Sequence, residues 1–170
     1  MGIMLSCNII YLKMIEQIYT YFTIEMIFMW LNLGVLPFWL MLIIFPQSQI
    51  CKVFITSIFP FFILSLAYGY LLYLFFNEGY DFIGNFELYL GLDAVSNLFT
   101  YKAFIILFWL HFLAMNLFCG GWIVKDSQKF GVNKILLSFP LLITYFIGPI
   151  GLTFYWIIRI FYAKRIYLYD

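Results

Sequence analysis

The chain has 170 residues, of which 66% are hydrophobic, 24% aromatic and only 10% charged, with nine Lys and Arg against eight Asp and Glu. Soluble domains carry about 45–50% apolar and about 25% charged residues, so this composition excludes a soluble globular domain. The near balance of charge excludes a basic nucleic-acid-binding surface and an acidic disordered tail, and no nucleic-acid partner is expected. The sequence therefore predicts an integral membrane protein.

Four apolar stretches lack Asp, Glu, Lys and Arg over at least the roughly 20 residues that a helix needs to cross a hydrocarbon core. They also lack the in-and-out alternation of barrel strands, and helices are the other structure that satisfies backbone polar groups in lipid. The sequence predicts an all-α integral membrane bundle of four transmembrane helices, at about 24–46, 53–76, 101–124 and 134–162, in one domain covering 1–170. An amphipathic lead-in before residue 25 is expected at the membrane interface.

The link between the second and third predicted helices holds most of the acidic residues, among them Glu78, Asp81, Glu87 and Asp93. The stretch from Asp93 to Phe99 is predicted to be a short amphipathic segment on the membrane surface, placed to cover a pocket. With four transmembrane helices, the side with both termini and the acidic link carries five basic residues and the other side carries four. This count leaves the orientation open. The short turns with concentrated basic residues favour the side without the termini as cytoplasmic or stromal.

The inventory of ligating side chains argues against metal and redox cofactors. His111 is the single histidine, whereas membrane di-iron enzymes need many histidine ligands and a haem between two helices normally needs two axial ones. Cys7, Cys51 and Cys119 lie in different segments without the spacing of a zinc site. Nucleotide-binding glycine motifs are absent from the sequence. The sequence predicts no cofactor and no metal, which leaves acid/base chemistry, isomerisation or no chemistry.

The third predicted helix contains His111, and an ionisable group at membrane depth is a functional hypothesis by default. Imidazole gives and takes a proton near neutral pH, so His111 is a candidate acid/base. The alternative is a neutral histidine that hydrogen-bonds to another helix. Asn116 lies about 140° round the helix from His111, so both line one pocket only if that pocket wraps the helix edge.

A stripe of five residues lies on one face of the fourth predicted helix: Thr144, Gly148, Gly151, Tyr155 and Arg159. Small residues there allow another backbone or a flat ligand to approach, and ordinary helix packing explains the stripe equally well. Pro149 leaves the carbonyl of Tyr145 without its helical donor, which predicts a kink and a spare acceptor at mid-span. In the first helix, Asn32 and Trp39 are further candidates to face a ligand.

A set of motifs carries a family resemblance: Val35-Leu-Pro-Phe-Trp39, the stretch from Trp109 to Trp122 with its Trp-x-His and Asn-Leu-Phe words, Asp126, and Gly148-Pro-Ile-Gly-Leu152. They resemble the abscisic-acid-deficient-four-like family, which acts in plants in the conversion of violaxanthin to neoxanthin and is widespread in bacteria. The resemblance runs from about residue 26 to Arg159. It implies a carotenoid ligand and an isomerisation that opens an epoxide and forms an allene without net redox change.

The candidate residues divide into two sets. The candidate catalytic residues are His111, Asn116, Asp93 and Asp126, and the candidate substrate-binding residues are Asn32, Trp39, Trp109, Trp122, Gly148, Gly151, Tyr155 and Arg159. Two positions depart from the family pattern, since Asn116 replaces a typical Asp and Gly121 replaces an Arg that is frequent in bacterial members. If the chemistry needs that Asp, the protein binds without catalysing, or His111 works with Asp93 or Asp126.

Two functional hypotheses follow. The first is a multi-pass protein of a bacterial inner membrane or plastid-type membrane that isomerises a carotenoid or another long apolar ligand, or assists the enzyme that does. The second is a non-catalytic membrane subunit that holds pigment or lipid in a homo-oligomer or a larger complex, and the two departures favour it. A transporter ranks third, because four helices without a mid-membrane charge do not make an alternating-access site in one chain.

Overall fold

The computed structural model describes residues 13–14, 21–55, 57–164 and 166–167. Its helices are α1 (Ile24–Ile44), α2 (Phe59–Asn77), α3 (Leu92–Leu98), α4 (Lys102–Lys129), α5 (Lys134–Phe146) and α6 (Gly148–Ala163), with a π-helical turn at Cys51–Ile55 and a 3-10 helix at Gly84–Tyr89. The described residues contain no strand, which confirms the predicted all-α class. Most of the predicted lead-in before residue 25 lies outside the described residues.

Three helices, α1, α2 and α4, are long and apolar enough to cross a membrane, and α5 is a shorter apolar helix. The predicted membrane class is thereby confirmed. The chain divides into two compact units, one ending at Gly34 and the other beginning at Val35, so the boundary falls within α1. The packing described below belongs entirely to the second unit.

Local sequence signals set where the helices begin and end. Pro60 occupies the first turn of α2, where its missing N–H leaves no helical hydrogen bond unmade, and α2 starts at Phe59 rather than at the predicted residue 53. Gly131 adopts a φ of +64° in the turn after α4, a backbone conformation that other residues rarely adopt. Asn133 then caps α5, because its side chain accepts a hydrogen bond from the Ile135 N–H at 2.9 Å.

The segment predicted as one helix over 134–162 is instead two helices, α5 and α6, folded against each other as a hairpin. Ile147 breaks the helix with a φ of −141° and a ψ of 85°. The rings of Phe139 and Phe154 lie 5.3 Å apart, centroid to centroid. In one straight helix residues 15 apart would be separated by about 22 Å, so the chain reverses direction between them.

Proline and glycine explain this reversal. Pro149 lies in the first turn of α6 and cannot donate a backbone hydrogen bond to the Tyr145 carbonyl, so α5 does not continue through it as one regular helix. Gly151 then approaches so closely that a Cβ on it would overlap the backbone nitrogen of Thr144. The kink predicted at Pro149 is therefore a complete turn, and the five-residue stripe is its packed inner face, since all five of its members are buried.

The hairpin packs along half of α4. Its turn lies beside the middle of α4, where the Asn116 side chain donates a hydrogen bond to the Tyr145 carbonyl at 3.4 Å. Its open end lies beside the end of α4, where Asp126 pairs with Arg159. The ring of Trp39 packs against Gly120 and meets Tyr145 edge-on at 5.4 Å, which fixes the level of the turn.

The predicted surface segment is helical and forms α3, which packs against the 3-10 helix at Gly84–Tyr89. Asp93 is exposed at its start, and Leu98 is buried at its end. The ring of Phe99 then lies edge-on to Phe104 and Phe108 at the beginning of α4, with centroid distances of 5.2 and 4.9 Å. The acidic link is therefore attached to the end of α4 opposite to Asp126.

Candidate functional site

A buried polar cluster joins the end of α4 to α6. One carboxylate oxygen of Asp126, Oδ2, accepts hydrogen bonds from the Tyr155 hydroxyl at 2.6 Å and from Arg159 Nε at 2.7 Å. The Asp126 and Arg159 side chains are only 10% and 3% exposed. A charge-assisted pair of this burial is favourable only if further hydrogen bonds satisfy its remaining polar groups.

Additional contacts around Arg159 supply that compensation. Its Nη1 donates to the Tyr167 carbonyl at 2.8 Å, and its guanidinium lies 4.9 Å from the centroid of the Phe130 ring. Tyr155 is fully buried and meets the ring of Trp122 edge-on at 5.7 Å. The contacts of Asp126, Tyr155 and Arg159 therefore hold the hairpin against α4, although Arg159 also borders a groove of about 280 Å³.

Asn116 occupies a second polar contact, at the turn of the hairpin. The missing N–H of Pro149 leaves the Tyr145 carbonyl without a helical donor, and the Asn116 amide supplies one. Gly148 lies so close that a Cβ there would overlap Asn116 Oδ1. The predicted spare acceptor is therefore used by a side chain of another helix, and Asn116 serves packing at this point.

His111 lies elsewhere, in an open groove between α2 and α4. The groove has a volume of about 240 Å³ and is lined by Phe61, Leu64, Ser65, Tyr68, Leu110, His111 and Ala114. His111 and Ser65 are exposed, whereas Tyr68 is half-buried. The groove thus brings an imidazole and two hydroxyl groups together on a surface that is otherwise apolar.

The environment of His111 bears on its two sequence interpretations. In the described part of the chain, no hydrogen bond or ion pair engages the imidazole, so the structure shows no second helix bonded to it. His111 is the tenth of 28 residues in α4, about 14 Å along the axis from Lys102. An exposed imidazole at that depth is a candidate for function.

A second groove continues from the first towards the Asp126 end of α4. It has a volume of about 170 Å³ and is lined by Ile55, Phe61, Phe118, Gly121, Trp122 and Lys125. Phe61 belongs to both grooves, and its ring meets that of Phe118 edge-on at 5.9 Å. From His111 to Lys125 the two grooves extend about 21 Å along α4. We call this pair of grooves the α2–α4 cleft.

The α2–α4 cleft separates the candidate residues into two groups. His111 and Trp122 line it, together with Gly121, which is a departure from the family pattern and not a candidate. The other candidates lie outside the cleft. Six of them make the contacts of the hairpin: Asn116, Asp126, Gly148, Gly151, Tyr155 and Arg159. Trp39 packs on Gly120, Trp109 stacks on Phe112, Asp93 is exposed on α3, and Asn32 donates to the Phe28 carbonyl within the first unit. A lipid-facing cleft of this kind offers rings and aliphatic side chains to a long apolar ligand.

The pairing of His111 with Asp126 requires both groups to reach the same ligand atom. Fifteen residues separate them on one helix, which corresponds to about 22 Å. Asp126 is moreover engaged by Tyr155 and Arg159. A carboxylate at that distance cannot exchange a proton with His111 directly, so the neighbours of His111 in the cleft, Ser65 and Tyr68, are its nearest polar partners for chemistry.

Sequence reasoning missed these α2 residues. Phe61, Leu64, Ser65 and Tyr68 follow helical spacings of three, one and three, so they share one face of α2. The signal was weak, since Ser65 and Tyr68 carry hydroxyl groups on one face of an apolar helix, but Tyr70 and Tyr73 of the same helix carry them as well. It was not decisive, because hydroxyl side chains in membrane helices commonly bond to their own backbone.

Comparison with known proteins identifies the family. The profile of the ABA DEFICIENT 4-like (ABA4-like) family matches residues 26–155, which is most of the chain. Searches of curated proteins and of solved structures return no match. The matched region includes α2, the α2–α4 cleft, all of α4 and the turn of the hairpin. The chain therefore belongs to the ABA4-like family.

Proposed function

We propose that the protein is a multi-pass membrane protein of a bacterial inner membrane or plastid-type membrane, which binds a carotenoid in the α2–α4 cleft and isomerises it with His111 as acid/base. Family membership supports the ligand class. One structural observation carries the site: His111 is exposed, without a hydrogen-bond partner among the described residues, in an aromatic cleft that also holds Ser65 and Tyr68. The chemistry needs no bound cofactor.

The cleft suits a long conjugated ligand for physical reasons. Its length of about 21 Å and its ring-lined wall favour an extended apolar chain over a compact one. Because the cleft is open rather than enclosed, such a ligand enters from the lipid without crossing water. The His111 part of the cleft holds an imidazole and two hydroxyl groups, and the far end is lined by Lys125, so the oxygen-bearing end group that reacts would lie beside His111.

The proposed reaction moves protons without net redox change. Formation of an allenic alcohol from an epoxide requires one proton delivered to the epoxide oxygen as the C–O bond breaks. It also requires one proton removed from a carbon of the adjacent chain, whose electron pair forms the new double bond. His111 serves one of these transfers, and the Tyr68 or Ser65 hydroxyl is the nearest group in the cleft for the other.

A second candidate function is a non-catalytic subunit that holds pigment or lipid in a homo-oligomer or larger membrane complex. The exposed apolar side chains along the cleft favour binding as such, whether or not chemistry follows. Asn116 bears on this choice. Because Asn116 contacts the hairpin turn and not the cleft, the loss of a carboxylate at this position does not remove an acid from the cleft.

The experiment is pigment analysis of cells that make a 5,6-epoxy xanthophyll and express the intact chain. We expect a new isomer of equal mass, and we expect His111→Ala to lower its formation by about 100-fold or more, the usual contribution of one acid/base group. Chromatography with mass detection measures both.

Ile105→Ala is the matched control, because Ile105 is exposed on α4 but does not line the cleft. It should retain the activity of the unmodified protein. If folded protein produces no isomer but retains bound carotenoid, the non-catalytic candidate is favoured. If it neither converts nor retains carotenoid, the proposed ligand class is wrong.

A further inference from the structure

The hairpin of α5 and α6 has its two open ends on the same side of the second unit. Its turn lies beside Asn116 in the middle of α4, and Arg159 returns to Asp126 near the end of α4. With 13 and 16 residues, α5 and α6 are about 20 and 24 Å long. Each is shorter than the roughly 30 Å of a hydrocarbon core.

The turn of the hairpin is apolar and exposed. Phe146, Ile147 and Ile150 are 64%, 51% and 48% exposed, and they carry no charge. Large apolar side chains grouped in this way are unfavourable in water and are ordinary against lipid tails. The open end is different, since Lys134 and Lys164 begin and end the hairpin. The lysines at the open end therefore suit a membrane surface, and the apolar turn suits the membrane interior.

The backbone at the turn meets the condition for a break at membrane depth. Non-helical backbone is tolerated there only when its polar groups find partners within the protein. The Tyr145 carbonyl accepts from Asn116, the Ile147 N–H donates to the Ile143 carbonyl at 2.7 Å, and the Ile147 carbonyl accepts from Gly151 at 3.1 Å. A single residue thus interrupts the helix while these groups remain bonded.

Charge then distinguishes the two ends of the second unit. Among the described residues, the end that holds the hairpin's open end carries five exposed lysines: Lys52, Lys125, Lys129, Lys134 and Lys164. The π-helical turn belongs to this end, because Gln128 donates to the Pro46 carbonyl at 2.6 Å and Ile55 shares a groove with Lys125. The opposite end carries Lys102 together with four exposed acidic residues, Glu78, Asp81, Glu87 and Asp93.

We propose that α5 and α6 form a re-entrant hairpin that enters and leaves the membrane from the cytoplasmic or stromal side, where the five lysines face anionic lipid headgroups. Short basic segments remain on that side during insertion, and anionic headgroups attract them once there. The acidic link between α2 and α4 lies on the opposite side. This topology rests on packing and charge alone, so it stands or falls independently of the proposed function.

Site-directed labelling tests the topology in the full chain. Cys7, Cys51 and Cys119 are replaced by Ala, and Glu87→Cys, Lys129→Cys and Lys164→Cys are made singly. Intact bacterial cells are then treated with a membrane-impermeant maleimide. We expect Glu87→Cys to be labelled, and Lys129→Cys and Lys164→Cys to be labelled only after the membrane is opened.

Each other result overturns part of the proposal. If Lys164→Cys is labelled together with Glu87→Cys while Lys129→Cys is protected, the last segment crosses the membrane and the hairpin is wrong. If both lysine positions are labelled in intact cells and Glu87→Cys is protected, the orientation is wrong. Labelling of all three in opened membranes verifies that each thiol can react.

A second measurement avoids the cysteine replacements. A fluorescent protein that matures only in the cytoplasm is fused after residue 170 or inserted after Glu87 of the otherwise unmodified chain. The proposal predicts fluorescence from the first fusion and none from the second. The same state at both positions would place them on one side of the membrane and overturn the re-entrant hairpin.

Discussion

Asp126 is the residue on which the packing of the hairpin's open end depends. Its Oδ2 is shared by Tyr155 and Arg159, and both partners are almost completely buried. Removing the carboxylate would leave the guanidinium buried without its counter-charge. An intact buried ion pair adds little to the free energy of unfolding, whereas a buried charge that has lost its partner lowers it strongly.

We therefore expect Asp126→Ala to lower the free energy of unfolding by about 3–5 kcal/mol, the usual effect of breaking a buried pair. Thermal or denaturant unfolding in detergent, followed by circular dichroism, measures the change. Glu87→Ala is the control, since this carboxylate is exposed and should leave stability nearly unchanged. Equal stability of the two variants would contradict a structural role for Asp126.

His111 differs from Asp126 in its contacts with neighbouring side chains. Asp126 is engaged by two side chains, whereas no described residue hydrogen-bonds the His111 imidazole. We expect His111→Ala to leave thermal stability close to that of the unmodified protein while lowering isomer formation. Unfolding curves of the same purified samples that are used for pigment analysis check this separation. A large loss of stability would instead indicate a packing role for His111.

At the scale of elements, the close packing of α5 against α6 in the hairpin depends on Gly151. Gly151 faces the backbone of Thr144, so a methyl group there forces α5 and α6 apart. Gly69 in α2 provides the comparison, because nothing lies within 4 Å of the position that its Cβ would take. The same substitution thus has opposite consequences at the two positions.

Gly151→Ala should destabilise the protein by about 1–3 kcal/mol, the typical penalty of overpacking. Gly69→Ala should be neutral or slightly stabilising, because Ala favours a helix more than Gly does. Unfolding in detergent compares the two variants under identical conditions. Equal midpoints for both would show that the close contact between α5 and α6 does not contribute to stability.

At the scale of the whole second unit, the shape of the α2–α4 cleft depends on how α2 lies beside α4. Gly121 lines the cleft near Phe118, and a Cβ there would meet only the Ile55 carbonyl, at 3.9 Å. A leucine at position 121 would therefore have room for its Cβ, and the rest of its side chain would fill the groove. The position that the family resemblance marks as a departure is thus one that keeps the cleft open.

If a carotenoid binds in the cleft as proposed, Gly121→Leu should displace it and lower the pigment retained on purification, with little loss of folded protein. Gly69→Leu is the matched control, with the same change in a membrane helix outside the cleft. The ratio of pigment absorbance to protein absorbance measures the effect. Full pigment retention in Gly121→Leu would place the ligand elsewhere.

The fold class and the family of this protein could be predicted from the sequence alone. The scarcity of charge and the length of the apolar runs predicted a helical membrane protein, because an unpaired backbone is unfavourable in lipid whatever the tertiary fold. The motifs around Trp109–Trp122 and Gly148–Leu152 indicated the family that the profile comparison shows. The five residues from Thr144 to Arg159 are buried, but not as one face of a single helix, because Thr144 lies on α5 and the other four lie on α6.

Only tertiary structure decided where the chain reverses and which residues meet. The run from 135 to 158 is apolar on both sides of Pro149, so its composition does not distinguish a kinked span from a hairpin. The decision lies in contacts with α4, where Asn116 compensates the broken helix and Asp126 anchors the returning arm. The reversal places Lys164 with Lys129, so that among the described residues of the second unit five exposed lysines lie at one end and Lys102 lies at the other.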